Sequence, residues 1–370
     1  MNFAFSEEQE AFREVLRRFG DERWSLAEVR RGLDTPEGFD RGAWKQLSEE
    51  LGLPGLILPE EVGGQGFGFL ELGIAFEELG RQLAGGPLLA TVCASLAILN
   101  AGSPDDRQRW LPSIASGETI ASLAWLEGRP GAKAGEVPHL RRDGERWRVS
   151  GRRLALDGAS ADLLVVPAKL AEGEGISLLV IPSDAPGVRT LPVEPFDLSR
   201  RLAEVDFDEA PGHLLGEEGQ AEAAFDRSLD QANLAVCAEM VGGAARCLEM
   251  AVEYAKTRVQ FARPIGSFQA IQHKTAEMLL ELETARSAAY WAWWVAGEAD
   301  GDLAEAASLA KSCCADAFDR AARENLQIHG GLGFTWEHDA HLFYRRARAD
   351  DTLFGDAPSH RARLATHLGL

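Results

Sequence analysis

The spacing of apolar residues changes twice along this chain and divides it into three parts. Apolar side chains recur at helical intervals up to about residue 118, occur in short alternating runs from 119 to 220, and return to helical spacing from 221 to 370. A helix repeats every 3.6 residues and a strand every two, so one pattern does not suit the other structure. The sequence therefore predicts an N-terminal helical domain (1–118), a middle β domain (119–220) and a C-terminal helical-bundle domain (221–370).

Long helical patterns dominate the third part. Helices are predicted at about 222–258, 268–297 and 302–329, with a final helix over the last stretch. Each of the three exceeds the average helix of about 11–12 residues, which is typical of a bundle whose flat faces pack together. In the first part, Ser6 precedes apolar residues at helical spacing, which indicates a helix N-cap.

Short apolar runs mark the middle part, and glycine and proline separate them. The runs are 120–126, 147–150, 163–166, 178–181 and 203–207. Alternating or apolar runs of this length between turn signals are typical of strands. The sequence therefore predicts an α+β protein that is mostly helical, with a β-barrel-like or sandwich module in the middle.

Charge and composition limit the classes of partner. The formal net charge is −20, so the chain repels nucleic-acid phosphates and anionic membrane surfaces, and neither is expected as a partner. No apolar run reaches the ~18 residues that a membrane span needs, and no signal peptide is predicted at the start. The cysteines form no Cys-x-x-Cys pair, which favours reduced thiols and a cytoplasmic location. They are Cys93, Cys237, Cys247, Cys313 and Cys314.

Two strings in the third part suit a ligand that carries a pyrophosphate. The first runs from Arg258 to Lys274, and its arginine can donate forked hydrogen bonds to phosphate oxygens. Phe261 and Phe268 in the same string offer aromatic surface. The second, 327–339, includes Gly330-Gly331, where the backbone can approach an anion closely. Taken singly, each feature has another explanation: the arginine could form a surface ion pair, and the two glycines could simply end a helix.

Both strings, together with Pro59-Glu60-Glu61-Val62-Gly63-Gly64 near the start, resemble signatures of the acyl-CoA dehydrogenase family. The resemblance covers essentially the whole chain. It implies the family fold with a C-terminal four-helix bundle, FAD as cofactor and an acyl-CoA substrate. In this family FAD lies across a subunit interface, and one subunit holds the ADP part for its neighbour. The residues that the resemblance assigns to this clamp are Arg258, Gln260, Phe261, Ile265, Phe268, Gln269, Gln327, Gly330 and Gly331.

The flavin-ring motifs depart from the family pattern. Where the family has Thr-Glu-Pro followed by Gly-Ser-Asp, this chain has Leu126-Glu127-Gly128 and then a run to Lys133 without Ser-Asp. Where the family has Trp-Ile-Thr-Asn-Gly, this chain has Leu154-Ala155-Leu156-Asp157-Gly158. Leucine side chains can pack against a flavin ring, but they cannot hydrogen-bond it.

The catalytic base is also missing. Acyl-CoA dehydrogenation needs a carboxylate that removes the α-proton. At family spacing the base position holds Phe354, and the alternative position on the preceding long helix holds Ala232. Three aspartates lie nearby in the sequence: Asp350, Asp351 and Asp356. One of them could serve as a relocated base, or all three could be solvated or ion-paired groups. No metal site is predicted.

Loss of the base beside an intact clamp favours a non-catalytic subunit. We expect a homologous acyl-CoA dehydrogenase chain that carries the catalytic glutamate, an α2β2 assembly of the kind that shortens steroid side chains, and electron-transfer flavoprotein as the acceptor. One alternative is a self-sufficient homotetramer with a relocated base. Another is a flavin oxidase or monooxygenase, or a binding module, on the same fold.

Overall fold

The N-terminal third is helical in the computed structural model, which describes residues 5–126, 137–144, 146–170, 175–298 and 302–370. Ser6 caps the first helix in a reciprocal capping box with Gln9, as the sequence predicts. The helices of this part are α1 (Glu7–Arg23), α2 (Leu26–Leu33), α3 (Arg41–Glu49), α4 (Phe69–Arg81), α5 (Leu88–Ala101) and α6 (Pro104–Ala115).

The middle part is a sheet that closes on itself. Its strands are β1 (Ala121–Leu123), β2 (His139–Asp143), β3 (Arg146–Leu156), β4 (Leu163–Leu170), β5 (Ser177–Pro182), β6 (Val188–Val193) and β7 (Leu202–Leu215). The pairing order β4-β2-β3-β7-β5 returns to β4, so these five strands form a ring, while β1 pairs with β4 and β6 with β7. This closure confirms the barrel-like module. The sequence did not reveal β2 and β6, whose residues, with the exception of Leu140, are exposed or half-buried and therefore lack an apolar alternation.

Long helices form the C-terminal part. They are α7 (Glu222–Thr257), α8 (Gln269–Gly297), α9 (Leu303–His329), α10 (Ala340–Thr352) and α11 (Ala357–His367), with a short hairpin of β8 (Val259–Gln260) and β9 (Arg263–Pro264). Helices α7 to α10 pack into the bundle, and α11 lies on α9. The prediction of a single final helix was wrong. Phe354 and Gly355 both have positive φ, which ends α10, and Asp356 then caps α11.

Close packing joins the two helical parts. A Cβ on Gly73 in α4 would lie 2.3 Å from the ring of Trp293 in α8, so only glycine fits there without movement. The indole nitrogen of Trp293 donates a hydrogen bond to the Leu234 carbonyl of α7 at 3.3 Å. None of the helices that the structure describes combines the length and the apolar character that a bilayer crossing needs.

Buried charges join the barrel to the helices. Arg200, which precedes β7, donates hydrogen bonds to Glu239 of α7 at 2.6 Å and to Asp350 of α10 at 2.9 Å. Arg346 of α10 pairs with Asp197 at 2.5 Å and also with Glu239. We refer to these five residues as the charge network. Because buried ions are costly unless paired, the network fixes how the barrel seats against α7 and α10.

Candidate functional site

The first clamp segment follows the end of α7 and is presented on the surface. Arg258 ends the helix, and its amide donates to the Tyr254 carbonyl at 2.8 Å. The Arg258 guanidinium makes neither a hydrogen bond nor an ion pair within the described residues, and it is exposed. In a chain with a net charge of −20, such a cation is available to an external anion.

The hairpin after Arg258 displays an aromatic ring at a backbone cost. Its turn residues, Phe261 and Ala262, both have positive φ, at 52° and 63°. Two-residue hairpin turns in which both residues have positive φ normally use Asn and Gly, because other residues lose about 1–2 kcal/mol each in the left-handed backbone conformation. The Phe261 side chain is 89% exposed, and its ring meets Phe268 edge-on at 6.2 Å. Strained backbone that presents an exposed ring is typical of a binding segment.

The second clamp segment lies where α9 ends. Gln327 is exposed on the last turn, and Gly330 follows with φ of +60°. A Cβ added to Gly330 or Gly331 would meet no atom within 4 Å, so the space beside this turn is open. Open space next to two glycines allows the backbone to approach a ligand closely.

A stacked pair of rings brings the two segments together. Tyr254, one turn before Arg258, stacks on His329 with ring centroids 4.3 Å apart. His329 is buried and its Nδ1 lies 2.9 Å from the Asn325 carbonyl. Sequence reasoning missed Tyr254, although its place one helical turn before Arg258 is a usable signal. The stack places the end of α7, which carries Arg258, beside the end of α9, which carries Gln327.

Apolar side chains line the barrel edge opposite Phe354. Leu126 and Leu154 exchange backbone hydrogen bonds at 3.0 and 3.2 Å. Leu154 and Leu156 are both buried, and they occupy positions where the family has Trp and Thr. No side chain of these three can hydrogen-bond a ligand. The rest of the first departing motif, 127–133, lies outside the described residues.

An aromatic stack fills the expected position of the base. The Phe354 ring lies parallel to Trp125, with centroids 5.1 Å apart and planes 16° apart. Phe354 adopts φ of +60°, which is unfavourable for a bulky residue and is held in place by this stack. Ala232, at the alternative position, is fully buried in α7. Sequence reasoning missed Trp125, which stands in the same strand-end run as Leu126.

The three nearby aspartates are already engaged. Asp356 caps α11 by accepting from the Ser359 amide at 2.9 Å, and these hydrogen bonds lower its pKa. Asp351 lies 3.6 Å from Arg348 and accepts from the Ala357 amide at 3.3 Å.

Asp350 is the third aspartate and belongs to the charge network. Burial raises its pKa, against the opposing pull of Arg200. One of its oxygens is bound by Arg200, while the other, Oδ2, has no hydrogen-bond partner. Lys311, also buried, donates to the Asp350 and Leu353 carbonyls at 2.7 and 2.5 Å and so holds the end of α10.

A large cavity separates the barrel edge from α10 and α11. Its volume is about 1230 Å³. Apolar side chains form most of the inner wall: Trp125, Leu126, Leu154, Leu156, Val193, Leu202, Leu229, Leu353 and Phe354. The remaining lining includes Glu194, Phe196, Tyr344 and Arg348. Asp197 and Arg200 of the charge network reach the same cavity, but both are saturated by their own partners.

One further buried acid lies at the barrel edge. Asp157 follows Leu156 with φ of +51° and is 7% exposed. Burial raises the pKa of its carboxyl to about 6, although Arg200 and Arg201 counteract this. The family has Asn at the matching position, which fits the left-handed backbone without a charge.

Comparison with known proteins identifies the relatives of this fold. The sequence matches the family model for the N-terminal domain of acyl-CoA dehydrogenases over residues 6–118 and that for the C-terminal domain over residues 222–369. Acyl-CoA dehydrogenase IpdE2 from Mycobacterium tuberculosis is 32% identical over 349 residues, which covers 94% of this chain and 93% of the relative.

Two solved structures that resemble the chain are named for pairs of chains. The ChsE4-ChsE5 complex from Mycobacterium tuberculosis gives a TM-score of 0.89 at 27% identity and covers 100% of this chain and 99% of the other. A Tcur3481-Tcur3483 steroid acyl-CoA dehydrogenase gives a TM-score of 0.88 at 28% identity and covers 98% of each chain.

Proposed function

Because this chain belongs to the acyl-CoA dehydrogenase family, we propose that it is the non-catalytic subunit of a heteromeric acyl-CoA dehydrogenase. Its α7 end and α9 end clamp the ADP part of an FAD that a homologous chain holds by the ring. That second chain supplies the glutamate base and binds the acyl-CoA, and electron-transfer flavoprotein accepts the electrons. The proposed assembly is α2β2.

The observation that carries this proposal is the direction in which the clamp faces. Arg258 and Gln327 point outward, and the guanidinium has no partner among the described residues. Open space beside Gly330 and Gly331 admits a ligand from outside the chain. A phosphate oxygen accepts forked hydrogen bonds from an arginine, and Phe261 presents a free ring to an adenosine. These residues therefore fit the ADP end of FAD when a neighbour brings it.

The chain's own cavity does not fit the flavin ring. FAD accepts a hydride during acyl-CoA oxidation and needs hydrogen bonds to its ring system. The positions that would supply them are Leu126, Leu154 and Leu156, whose side chains have no donors. The clamp residues fit the ADP part of FAD, whereas the residues at the ring position do not fit the flavin ring. This contrast supports an arrangement in which two chains bind different parts of one FAD.

The residues at the two possible base positions also point to a second, catalytic chain. Phe354 cannot accept a proton, and Ala232 has no side-chain oxygen. Asp350 has a free oxygen and a raised pKa, which favours the relocated-base alternative. However, its other oxygen is held by Arg200, and Asp350 is not among the residues that line the cavity. We therefore place the base in the partner chain.

The experiment compares clamp variants in the two-chain assembly. Arg258→Ala should release FAD from the purified complex while the two chains stay together, because a charge-assisted phosphate contact is lost. Lys256→Ala is the matched control, since Lys256 is an exposed cation two residues before Arg258 and pairs with Glu253 on its own helix. Equal FAD retention in both variants would show that this face does not bind the cofactor.

A further inference from the structure

Three aromatic rings stack beside the clamp segments. Tyr254 of α7 stacks on His329 at the end of α9, with ring centroids 4.3 Å apart, and His329 faces His338 at 4.4 Å. We refer to these three residues as the ring column. It joins the ends of α7 and α9 to the loop 330–339, which precedes α10.

The ring column is continuous with both clamp segments. The Tyr254 carbonyl accepts the hydrogen bond of the Arg258 amide at 2.8 Å, one turn further along the chain. His329 follows Gln327 by two residues and directly precedes Gly330. A change in the spacing of the two rings therefore changes the spacing of the two clamp segments, because tightly packed groups transmit displacements.

The hydrogen bonds of the two histidines define where their protons lie. The Nδ1 of His329 is 2.9 Å from the Asn325 carbonyl, which can only accept, so this nitrogen carries a hydrogen. The Nδ1 of His338 accepts from the Ala340 amide at 3.1 Å, so this nitrogen carries none. Since a further proton on His338 would occupy that acceptor, its bond to Ala340 lasts only while the ring is neutral.

Both histidines are also held neutral by their surroundings. Burial lowers the pKa of His329, and the hydrogen bond to Asn325 opposes this only in part. Burial likewise lowers the pKa of His338, and the nearby His329 ring lowers it further. Two adjacent imidazoles resist a first proton through burial and a second one through repulsion between like charges.

Charged groups from neighbouring segments act mainly in the same direction. Besides burial, Arg30 of α2 and His341 of α10 lower the pKa of His338, whereas Asp339 raises it. The Asp339 carboxylate is engaged, because it accepts from Arg30 at 2.6 Å. Arg345, also on α10, lowers the pKa of His341 together with burial. The positive groups around the ring column therefore outweigh the acid.

We propose that the ring column positions the clamp and releases it when its histidines take up protons. The neutral column holds Arg258 and Gln327 at the spacing in which they contact the ADP part of FAD. Protonation of His338 breaks its bond to the Ala340 amide and sets a positive charge against His329, so the two clamp segments separate. This role rests on the proposed contact of the clamp with FAD.

The direction of the pH dependence follows from the lowered pKa values. The neutral column is fully stable above a pH of about 6.5, the ordinary pKa of histidine, and it is destabilised as the pH falls below that value. The dissociation constant of FAD from the two-chain assembly should therefore rise between pH 8 and 5.5. The expected rise is roughly threefold to tenfold, which corresponds to a pKa difference of about half a unit to one unit.

Variants of the two histidines separate this role from a merely structural one. His329→Ala removes the middle ring and should weaken FAD binding at every pH, whereas His329→Phe restores a ring against Tyr254 and should recover most of the affinity at pH 8. The double variant His329→Phe/His338→Asn keeps a ring and an acceptor for the Ala340 amide, and neither group titrates. Its affinity for FAD should not change between pH 8 and 5.5.

A histidine at the other end of α9 supplies the matched control. His367 is exposed and lies 3.5 Å from both Asp302 and Glu305, beside the start of that helix. His367→Asn should leave the pH dependence of FAD binding as it is in the wild type.

The full-length chain alone supplies a second readout that needs no cofactor. In protein labelled with ¹³C at histidine Cε1, the resonances of His329 and His338 are assigned by their loss in the variants. Both should titrate below a pH of about 6.5. Titration of both at or above that value would overturn the role of the ring column.

FAD binding gives two further contrary results. Wild-type affinity that does not change with pH, or parallel profiles in the wild type and the double variant, would overturn the role of the ring column and leave the clamp in place. An assembly that binds no FAD even at pH 8 would instead overturn the proposed function, and this role with it.

Discussion

Replacing Asp157 by Asn should stabilise the protein at neutral pH. The wild-type carboxyl is buried at the barrel edge, where burial raises its pKa from 3.8 to about 6. Asn has nearly the same shape and is tolerated at the φ of +51° found here. The substitution therefore removes an ionisable group without introducing backbone strain or a cavity.

The magnitude follows from the size of the shift. One pKa unit corresponds to 1.36 kcal/mol, so a rise of about two units corresponds to roughly 3 kcal/mol of unfavourable ionisation in the folded state. Solvent does not appreciably screen this charge and reduce the penalty, because Asp157 is only 7% exposed. Since the folded-state pKa is raised, the penalty is fully present above pH 6 and disappears as the pH falls below about 4. Asp157→Asn should thus be more stable than wild type at pH 8 and equal to it near pH 4.

Urea denaturation of both proteins at pH 8, 6 and 4 measures this difference. The midpoint of the Asn variant should exceed that of wild type at pH 8, and the gap should narrow steadily towards pH 4. A difference in midpoint that does not change with pH would show that the variant alters stability through packing. A less stable variant at pH 8 would show that the attraction of the carboxylate to Arg200 and Arg201 stabilises the fold by more than burial of the charge destabilises it, contrary to this prediction.

Four other variants test three separate features. Glu239→Gln leaves two buried arginines short of a carboxylate and should cost about 3–5 kcal/mol of stability, measured by urea denaturation. Phe261→Gly and Ala262→Gly should each raise stability by about 1 kcal/mol by relieving positive φ, yet only Phe261→Gly should reduce FAD retention by the two-chain assembly; equal retention would refute a role for the ring. Phe354→Glu should produce no acyl-CoA turnover by the chain alone, because the ring-binding hydroxyls stay absent; dye-linked activity in that variant would contradict this.

Periodicity predicted the long helices of the C-terminal part well and the strands less well. The bounds of α7, α8 and α9 fall within a residue or so of the sequence prediction, because long helical patterns average over many residues. Strands β2 and β6 escaped notice because arginines and other exposed residues interrupt their apolar pattern. The break between α10 and α11 depends on positive φ at Phe354, which a sequence pattern does not reveal for a phenylalanine.

The site shows the same limit at the level of contacts. The clamp residues stand in two contiguous strings, so their grouping could be anticipated, and only the Tyr254–His329 stack that joins them is new. The partners of Asp350 could not be anticipated, since Arg200 lies 150 positions away in the sequence. The same holds for Trp125 against Phe354, which meet only when the barrel docks on the helices. Long-range pairs of this kind depend on tertiary packing and not on local patterns.

The most direct test of the central claim is the FAD content and acyl-CoA dehydrogenase activity of the full-length chain purified alone and purified with its homologous partner. We expect substoichiometric FAD and no turnover for the chain alone, and bound FAD with turnover once the partner supplies the ring site and the glutamate. Stoichiometric FAD and dye-linked oxidation of acyl-CoA by the chain alone would contradict it.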